Sequence, residues 1–306
     1  MSKEKLKIVL GYAIICLIWG STWLAIRIGL DSLTPLFSCG TRFLIASLFI
    51  YTIMRFRGVK LQTDAKSIKL YIVMGIFSFV FPFGLVYWAE QFIASGLTSV
   101  LFAVHPFFVI VWSRIISPEH KVGPYQVLGV VLGFLGILVI FLEGLSINLT
   151  EDFWAMVAVI ASGIMQAWIA VFMKKHGNYL HPLSMNLVPI FLAGISLVFI
   201  SFVFEDRTSW IFDNGAVFSI LYLAFFGTVT TFTIFYWLLK RISVVIISLT
   251  SFITPIIAVI LGLLILNEKF SGQTLMGSSL VLIGILFANF RGLRNYYRLK
   301  SRRIPL

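Results

Sequence analysis

The stretch YWAEQFIASGLTSVLFAVHPFFVIVWSRIISPE (residues 87–119) recurs in altered form as YWLLKRISVVIISLTSFITPIIAVILGLLILNE (residues 236–268). The two copies lie 149 residues apart and share several identities within the same apolar pattern. Six of the identical pairs are Tyr87 and Tyr236, Trp88 and Trp237, Ile93 and Ile242, Ser99 and Ser248, Pro106 and Pro255, and Glu119 and Glu268. Repeated apolar segments of this kind are typical of membrane transporters.

The composition indicates that lipid is the solvent of this chain. Hydrophobic residues make up 59% of the 306 positions and charged residues only 12%, and the mean hydropathy is +1.00. A chain of this length cannot hide so much apolar surface around one aqueous core. The two cysteines, Cys16 and Cys39, lie inside apolar segments and are predicted to be packing residues, with no disulfide or metal role.

Ten apolar segments are long enough to cross a hydrocarbon layer, at about 20 residues each. They are predicted at residues 8–28, 35–54, 69–91, 94–116, 124–143, 153–174, 183–204, 216–239, 243–266 and 272–290. The sequence therefore predicts an all-α integral membrane protein with ten transmembrane helices, numbered 1 to 10 in chain order.

Basic residues orient a membrane protein because they collect on its cytoplasmic side. With the amino terminus inside, 20 of the 24 fall on cytoplasmic flanks, and the exceptions are Arg27, Arg42, Arg207 and Lys269. Nine of the 12 acidic residues take the other side, namely Asp31, Glu90, Glu143, Glu151, Asp152, Glu205, Asp206, Asp213 and Glu268. We therefore predict a plasma-membrane protein with both termini cytoplasmic. The net charge of +12 then has a topological origin and requires no nucleic-acid partner.

Each copy of the repeat spans five segments, so the second copy must enter the membrane from the opposite side. Pro35 with Pro182, and Gly129 and Gly136 with Gly277 and Gly284, extend the match. The predicted units are residues 1–146 (helices 1–5) and 147–290 (helices 6–10), followed by a basic cytoplasmic tail at 291–306, which could also contact anionic lipid. Inverted repeats place a substrate site at their interface, near the membrane midplane.

Three short runs stand out in the first half of the chain: Trp19–Trp23 (WGSTW), Arg42–Ala46 (RFLIA) and Tyr87–Gln91 (YWAEQ) with Ser95, Ser99 and Pro106. They resemble the EamA-type members of the drug/metabolite transporter superfamily. The resemblance covers nearly the whole chain, through Phe290. It implies two EamA modules, a central cavity bounded by helices 1–4 and 6–9, and export of amino acids, drugs or other small metabolites.

The two prolines Pro106 and Pro255 lie in the middle of helices 4 and 9. Each removes a backbone donor and strains the carbonyl four residues earlier, at Phe102 and Ser251, so we predict a kink or local unwinding at both places. The half-helix that follows such a break presents a slightly positive N-terminus, which favours an anionic group. A packed kink is the structural alternative.

Three ionisable residues are predicted inside the membrane. Arg42 lies about two turns inside helix 2 and should face a cavity or a partner, with Glu90 as the natural partner and a structural ion pair as the alternative to a substrate or proton site. Glu90 and His105 are the candidates for proton coupling, although a neutral, hydrogen-bonded His105 is favoured. His105-Pro106 and Thr254-Pro255 are expected to approach each other near the midplane.

Other side chains of the matched runs and buried polar groups complete the predicted substrate cavity. They are Trp19, Ser21, Trp23, Tyr87, Trp88, Gln91, Gln166, Trp168, Tyr236, Trp237 and Thr250. Glycines of helices 5 and 10 allow close helix approach and leave a weak homodimer open.

The chain contains no P-loop sequence, no metal-ligand cluster and no nucleophile paired with a base, so we predict no cofactor and no metal. We predict a secondary transporter that exports amino acids or similar small metabolites by alternating access, with proton coupling as one mechanism. A facilitative, channel-like metabolite or drug permease is the alternative. An integral-membrane enzyme is disfavoured, because only Arg42, Glu90 and His105 could serve as catalytic groups.

Overall fold

The computed structural model describes residues 3–116, 123–145, 151–239, 241–242, 247 and 250–301. Within these ranges the side chains of residues 3, 141, 143–145, 252 and 288–301 are not described. Ser248 and Glu119, two members of the predicted repeat, therefore lie outside the described residues.

The described chain is helical and contains no strand. The helices are α1 (Lys3–Leu30), α2 (Pro35–Phe56), α3 (Ala65–Ala89), α4 (Ser95–Ile116), α5 (Pro124–Leu145), α6 (Glu151–His176), α7 (Pro182–Phe204), α8 (Asn214–Leu239), α9 (Thr250–Ile265) and α10 (Gly272–Ser301). Seven of them, α1–α4 and α6–α8, are long and apolar enough to cross a membrane. Shorter apolar stretches lie in the other three, at Pro124–Ile140, Ile253–Ile265 and Gly272–Phe287. The all-α membrane class is thus confirmed, and seven of the ten predicted segments are confirmed as candidate spans.

Local sequence explains where several helices begin. Pro35 and Pro182 occupy first-turn positions of α2 and α7, where the missing amide proton costs nothing and the fixed φ favours the helix. Asp64 and Asp213 precede α3 and α8 and accept hydrogen bonds from the amides of Ser67 and Ala216.

Two helices contain a short π-helical segment, at Gly75–Val80 in α3 and at Phe225–Thr230 in α8. Such segments leave backbone carbonyls without the usual helical partner and often mark functional positions. In α8, the Thr228 hydroxyl donates to the carbonyl of Leu223, and the Thr231 hydroxyl donates to the carbonyl of Gly227. The apolar pattern of the sequence did not predict either segment.

The predicted local unwinding is found beside Pro106 but not at Pro255, where a kink stays a prediction. Helix α4 is interrupted at Ala103 and Val104, and it resumes at His105 with the Phe107 amide bonded to the Val104 carbonyl at 2.9 Å. Helix α9 continues without interruption through Pro255, as α7 does through Pro189. The missing donor therefore does not interrupt those two helices, and among α4, α7 and α9 it is α4 that has a break beside its proline.

Glycines allow the two closest helix pairs to form. In the α2–α7 pair, a Cβ added at Gly40 would lie 2.7 Å from the amide nitrogen of Val198. In the α5–α10 pair, a Cβ at Gly136 would lie 2.5 Å from the Gly277 carbonyl oxygen. The small residues thus let backbones approach within one chain. Because the α5 and α10 glycines are covered by each other, they no longer argue for a homodimer, which stays an untested prediction.

We expect Gly284→Val to destabilise the protein by about 1–3 kcal/mol, the usual cost of overpacking. A Cβ at Gly284 would lie 2.6 Å from both the Gly129 carbonyl oxygen and the Gly133 amide nitrogen, and backbone atoms cannot move aside cheaply. A detergent thermal-unfolding curve measures the loss. Gly272→Ala is the matched control because nothing lies within 4 Å of its added Cβ. Equal melting temperatures for both variants would contradict the packing described above.

Candidate functional site

The centre of the candidate site is Arg42 of α2, which is only 2% exposed. Its Nε donates to the Thr228 hydroxyl at 2.9 Å, its Nη1 to the Tyr87 hydroxyl at 3.1 Å, and its Nη2 to the Gly227 carbonyl at 3.3 Å. Thr228 and Gly227 belong to the π-helical segment of α8, and Tyr87 belongs to α3. The guanidinium therefore joins α2 and α3 to α8 through neutral partners alone.

Two aromatic rings lie against this guanidinium, and further rings pack in the same cluster. The Arg42 Cζ lies 5.4 Å from the ring centre of Phe43 and 5.3 Å from that of Phe83, a cation–π geometry. Phe79 and Phe232 pack edge-on against each other at 5.3 Å. Further rings of the same cluster are Trp19 against Phe232 at 5.7 Å, Trp23 against Phe102 at 5.5 Å, and Tyr236 against Phe232 at 6.4 Å. We call Arg42, Tyr87, Thr228 and these rings the Arg42 site.

The second charged group of interest is Glu90, which is fully buried. Neither carboxylate oxygen has a hydrogen-bond partner among the described residues. The charges that act on it are those of Glu268, Arg27 and Arg42. The predicted ion pair between Arg42 and Glu90 is wrong, since the only ion pair among the described residues joins Arg241 to Glu4. Arg42 instead donates hydrogen bonds to neutral groups that are distant in the sequence.

Contacts between distant segments close the end of the bundle that carries Glu90, Glu205, Asp213 and Glu268, which we call the acidic end. The Glu268 carboxylate accepts from the Ser95 amide at 2.8 Å, the Ser95 hydroxyl at 2.7 Å and the Gly96 amide at 3.1 Å, so it caps α4. The Glu205 carboxylate caps α2 in the same way, through the amides of Leu36 and Phe37. Negative groups at helix N-termini are favourable there.

Helix α1 is tied into the acidic end as well. Arg27 donates to the backbone carbonyls of Glu90 at 2.6 Å and Gln91 at 3.2 Å, at the C-terminal end of α3. Ser32 donates its hydroxyl proton to Asp213 at 2.6 Å. Hydrogen bonds from the Ala216 amide and from Ser32 hold the pKa of the Asp213 carboxyl below its ordinary value. This carboxylate therefore stays ionised and keeps α1 joined to α8 at neutral pH.

The remaining predicted residues lie in four places: a cluster beside α6, a contact with Tyr222, and two grooves at the surface. The α4 break brings His105 beside α6: its ring stacks on Phe102 at 6.1 Å, and it interacts with the backbone of Gln166. The Gln166 side chain in turn exchanges hydrogen bonds with Ser78 of the π-helical segment in α3. Trp168 packs on Phe77 at 5.2 Å beside this cluster.

Several predicted cavity residues face away from Arg42. Ser21 bonds to the Tyr222 hydroxyl at 2.6 Å on another face of α1. Trp88 and Gln91 line an open groove of about 570 Å³ between α2, α3 and α7 at the acidic end. Trp237 lines a second groove, of about 440 Å³, between α1 and α8.

No described contact tests whether His105-Pro106 and Thr254-Pro255 approach each other. Pro106 is buried in α4, and Thr254 and Pro255 are buried in α9, so these three residues face protein. Thr250 is buried too and donates its hydroxyl proton to the Ile247 carbonyl. The approach of His105 to Thr254 stays a prediction.

The sequence prediction included Tyr87 but missed the other two residues that hold Arg42. Gly227 and Thr228 lie 185 and 186 positions away from it. Ser78 and Thr228 are each the fourth residue of a π-helical segment, but at the 149-residue offset of the sequence repeat Ser78 falls on Gly227, so the repeat did not point to Thr228. The phenylalanines Phe43, Phe79, Phe83, Phe102 and Phe232 were passed over because 30 phenylalanines are spread through the chain.

Comparison with known proteins agrees with this architecture. The profile of the EamA-like transporter family matches residues 6–142 and again residues 153–290. The chain is 31% identical to the uncharacterized transporter YoaV of Bacillus subtilis, over 93% of this chain and 97% of that protein. It is 29% identical to the protein PagO of Salmonella typhimurium, with 92% of each covered, and 25% identical to the uncharacterized inner membrane transporter YedA of Escherichia coli, covering 88% of this chain and 85% of YedA.

A solved crystal structure has the same fold, with a TM-score of 0.68 at 16% identity, and it covers 92% of this chain and 96% of that one. The chain is therefore a multi-pass membrane protein of transporter type. It belongs to the EamA-like transporter family.

Proposed function

We propose that this protein is a ten-helix secondary transporter that exports amino acids or similar small metabolites by alternating access. Arg42 is the observation that carries the proposal. It is a buried cation whose three hydrogen bonds go to neutral groups, and it joins helices of the first half to α8 of the second. A buried charge without a counter-charge is costly, so such a residue is retained where it meets an anionic ligand.

The chemistry of the Arg42 site fits a carboxylate attached to a small apolar body. A guanidinium has five N–H donors, and three are used within the protein, so two stay available for a planar carboxylate. The surrounding rings offer flat apolar faces to the rest of the molecule. Glu90 lies one helical turn beyond Tyr87 on α3, and its unpartnered carboxylate suits the ammonium group of an amino acid.

The inverted-repeat arrangement is part of the proposal. The π-helical segments of α3 and α8 begin 150 residues apart, close to the spacing of the sequence repeat, and support a duplication of the helical unit. With both termini cytoplasmic, the acidic end faces outward. Glu268, Glu205 and Arg27 would then hold the outer ends of the helices together, and the Arg42 site would open toward the cytoplasm to load its cargo.

Efflux from proteoliposomes tests this proposal. Vesicles are loaded with an isotope-labelled mixture of the common amino acids, and the molecules released are identified by mass spectrometry, with and without an imposed proton gradient. Carboxylate-bearing solutes should leave faster than from protein-free vesicles, and a gradient should drive them against their concentration. Downhill release that ignores the gradient would instead identify a facilitative permease. No release of any amino acid would refute amino-acid export.

A further inference from the structure

The groove between α1 and α8 lies at the opposite end from Glu268 and is not used by the proposed transport site. Gly11 forms its floor: a Cβ there would lie 3.0 Å from the Ile234 side chain, so the missing side chain leaves the helices closely packed beneath an open surface. Leu10 and Ile14 form the wall on α1 and are 52% and 39% exposed. In a membrane this strip contacts acyl chains.

Two cations stand at the mouth of the same groove. Lys7 is exposed and forms no ion pair with the described residues. Arg241 lies over the Trp237 ring at 4.3 Å, and its Nη1 donates to the Trp237 carbonyl at 3.2 Å. Its Nε is 3.3 Å from the Glu4 carboxylate, which is itself 62% exposed. The mouth therefore carries two positive charges and one negative charge, with a tryptophan at its rim.

This order of groups along one groove matches a phospholipid. Lys7 and Arg241 are placed for a phosphate, Trp237 for the boundary between headgroup and acyl chain, and Leu10, Gly11 and Ile14 for the chain itself. The excess positive charge favours a lipid with net negative charge over a zwitterionic one. A soluble anion would use the cations but not the apolar strip, which continues from the third turn of α1.

We infer that the groove between α1 and α8 is a binding site for an anionic phospholipid such as phosphatidylglycerol. The site joins the first half of the chain to the second, because α1 and α8 supply its two walls. The inference concerns membrane lipid alone and does not depend on the cargo or direction of transport.

Native mass spectrometry of the full chain in detergent, titrated with phosphatidylglycerol or phosphatidylethanolamine, tests the site. The wild-type protein should bind one phosphatidylglycerol in preference to phosphatidylethanolamine. Lys7→Gln should weaken the first phosphatidylglycerol roughly fivefold, since a basic residue near a lipid surface contributes about 1 kcal/mol. Lys7 is exposed and forms no ion pair with a described residue, so the substitution should leave the fold unchanged. Ile14→Trp should also weaken binding, because it fills the groove from its open side without changing charge.

The control is Arg57→Gln, an exposed cation that lies outside this groove and has no described side-chain partner. It removes the same charge and should leave the first binding event unchanged. An equal loss in Arg57→Gln and Lys7→Gln would mean that lipid responds to net charge only, and would overturn the site. Unchanged binding in Ile14→Trp would overturn it too, because the acyl chain would then lie elsewhere. Glycerol phosphate at the same concentration as the lipid should not displace phosphatidylglycerol. Displacement would mean that the groove binds free phosphate and not a lipid.

Discussion

Arg42→Gln is expected to reduce carboxylate efflux at least about thirtyfold while the protein stays folded. Truncating one partner of a buried, hydrogen-bonded charge pair costs about 2–5 kcal/mol of binding, and 2 kcal/mol corresponds to roughly a factor of thirty. The measurement is the initial rate of labelled amino-acid efflux from proteoliposomes at equal protein content.

The melting temperature separates a ligand role from a structural one. Arg42 has no counter-charge in the described chain, and its partners Thr228, Tyr87 and Gly227 are neutral. Glutamine at position 42 removes three hydrogen bonds, which costs stability, but it also removes an uncompensated buried charge, whose desolvation is itself costly. Because these two effects oppose each other, we expect an Arg42→Gln melting temperature close to that of the wild type. A large fall in melting temperature together with a proportional fall in efflux would assign Arg42 to the fold instead.

Two further variants sharpen the comparison. Thr228→Val removes one of the Arg42 hydrogen bonds but keeps the guanidinium, so its effect on efflux should stay near the 1 kcal/mol of a single neutral hydrogen bond, or about fivefold. Arg114→Gln removes an exposed positive charge elsewhere and should leave efflux unchanged. Arg42→Gln activity at the level of Arg114→Gln would contradict the anion site.

The burial of Arg42 could be predicted from the sequence, but its partners could not. A guanidinium in an apolar segment is too costly to face lipid, whatever the rest of the chain does. Its partners depend on which helix packs beside α2. Two of them, Gly227 and Thr228, belong to a π-helical segment of α8 that hydropathy does not reveal.

Side-chain direction was the weakest part of the sequence prediction for a physical reason. In a soluble helix the polar face identifies the outside, whereas in a membrane both lipid and core are apolar. Trp88 and Trp237 belong to the matched runs, yet they line the two grooves at the surface. Tyr87 and Tyr236, each one position earlier in the chain, turn inward and are buried. The effect of a proline on its helix could not be predicted either, because α4 is interrupted beside Pro106 whereas α9 continues through Pro255.

Glu90→Gln is expected to make efflux insensitive to a proton gradient. Glu90 is fully buried and no described group hydrogen-bonds to either carboxylate oxygen, so the proton is the simplest ligand for this side chain when no substrate is bound. Glutamine cannot release a proton and therefore fixes the neutral form. Wild-type efflux should accelerate when a gradient is imposed, whereas the variant should run at one rate with or without it.

The melting temperature tests the same substitution independently of transport. At neutral pH the buried Glu90 must either take up a proton or remain as an unpaired charge, and both cost free energy that a neutral amide does not require, so Glu90→Gln should melt at a higher temperature. Asp31→Asn, which changes an exposed carboxylate at the same end, should alter neither the melting temperature nor the gradient response.

His105→Gln distinguishes the two candidate proton groups. The His105 ring is held against Phe102 and the Gln166 backbone, a packed setting that favours a neutral structural role, so this variant should keep the gradient response. Loss of the response in His105→Gln with retention in Glu90→Gln would move the coupling proton to the broken centre of α4. A response that survives in both variants would remove the coupling from these two residues, and the charges around Glu90 would then serve to close the acidic end.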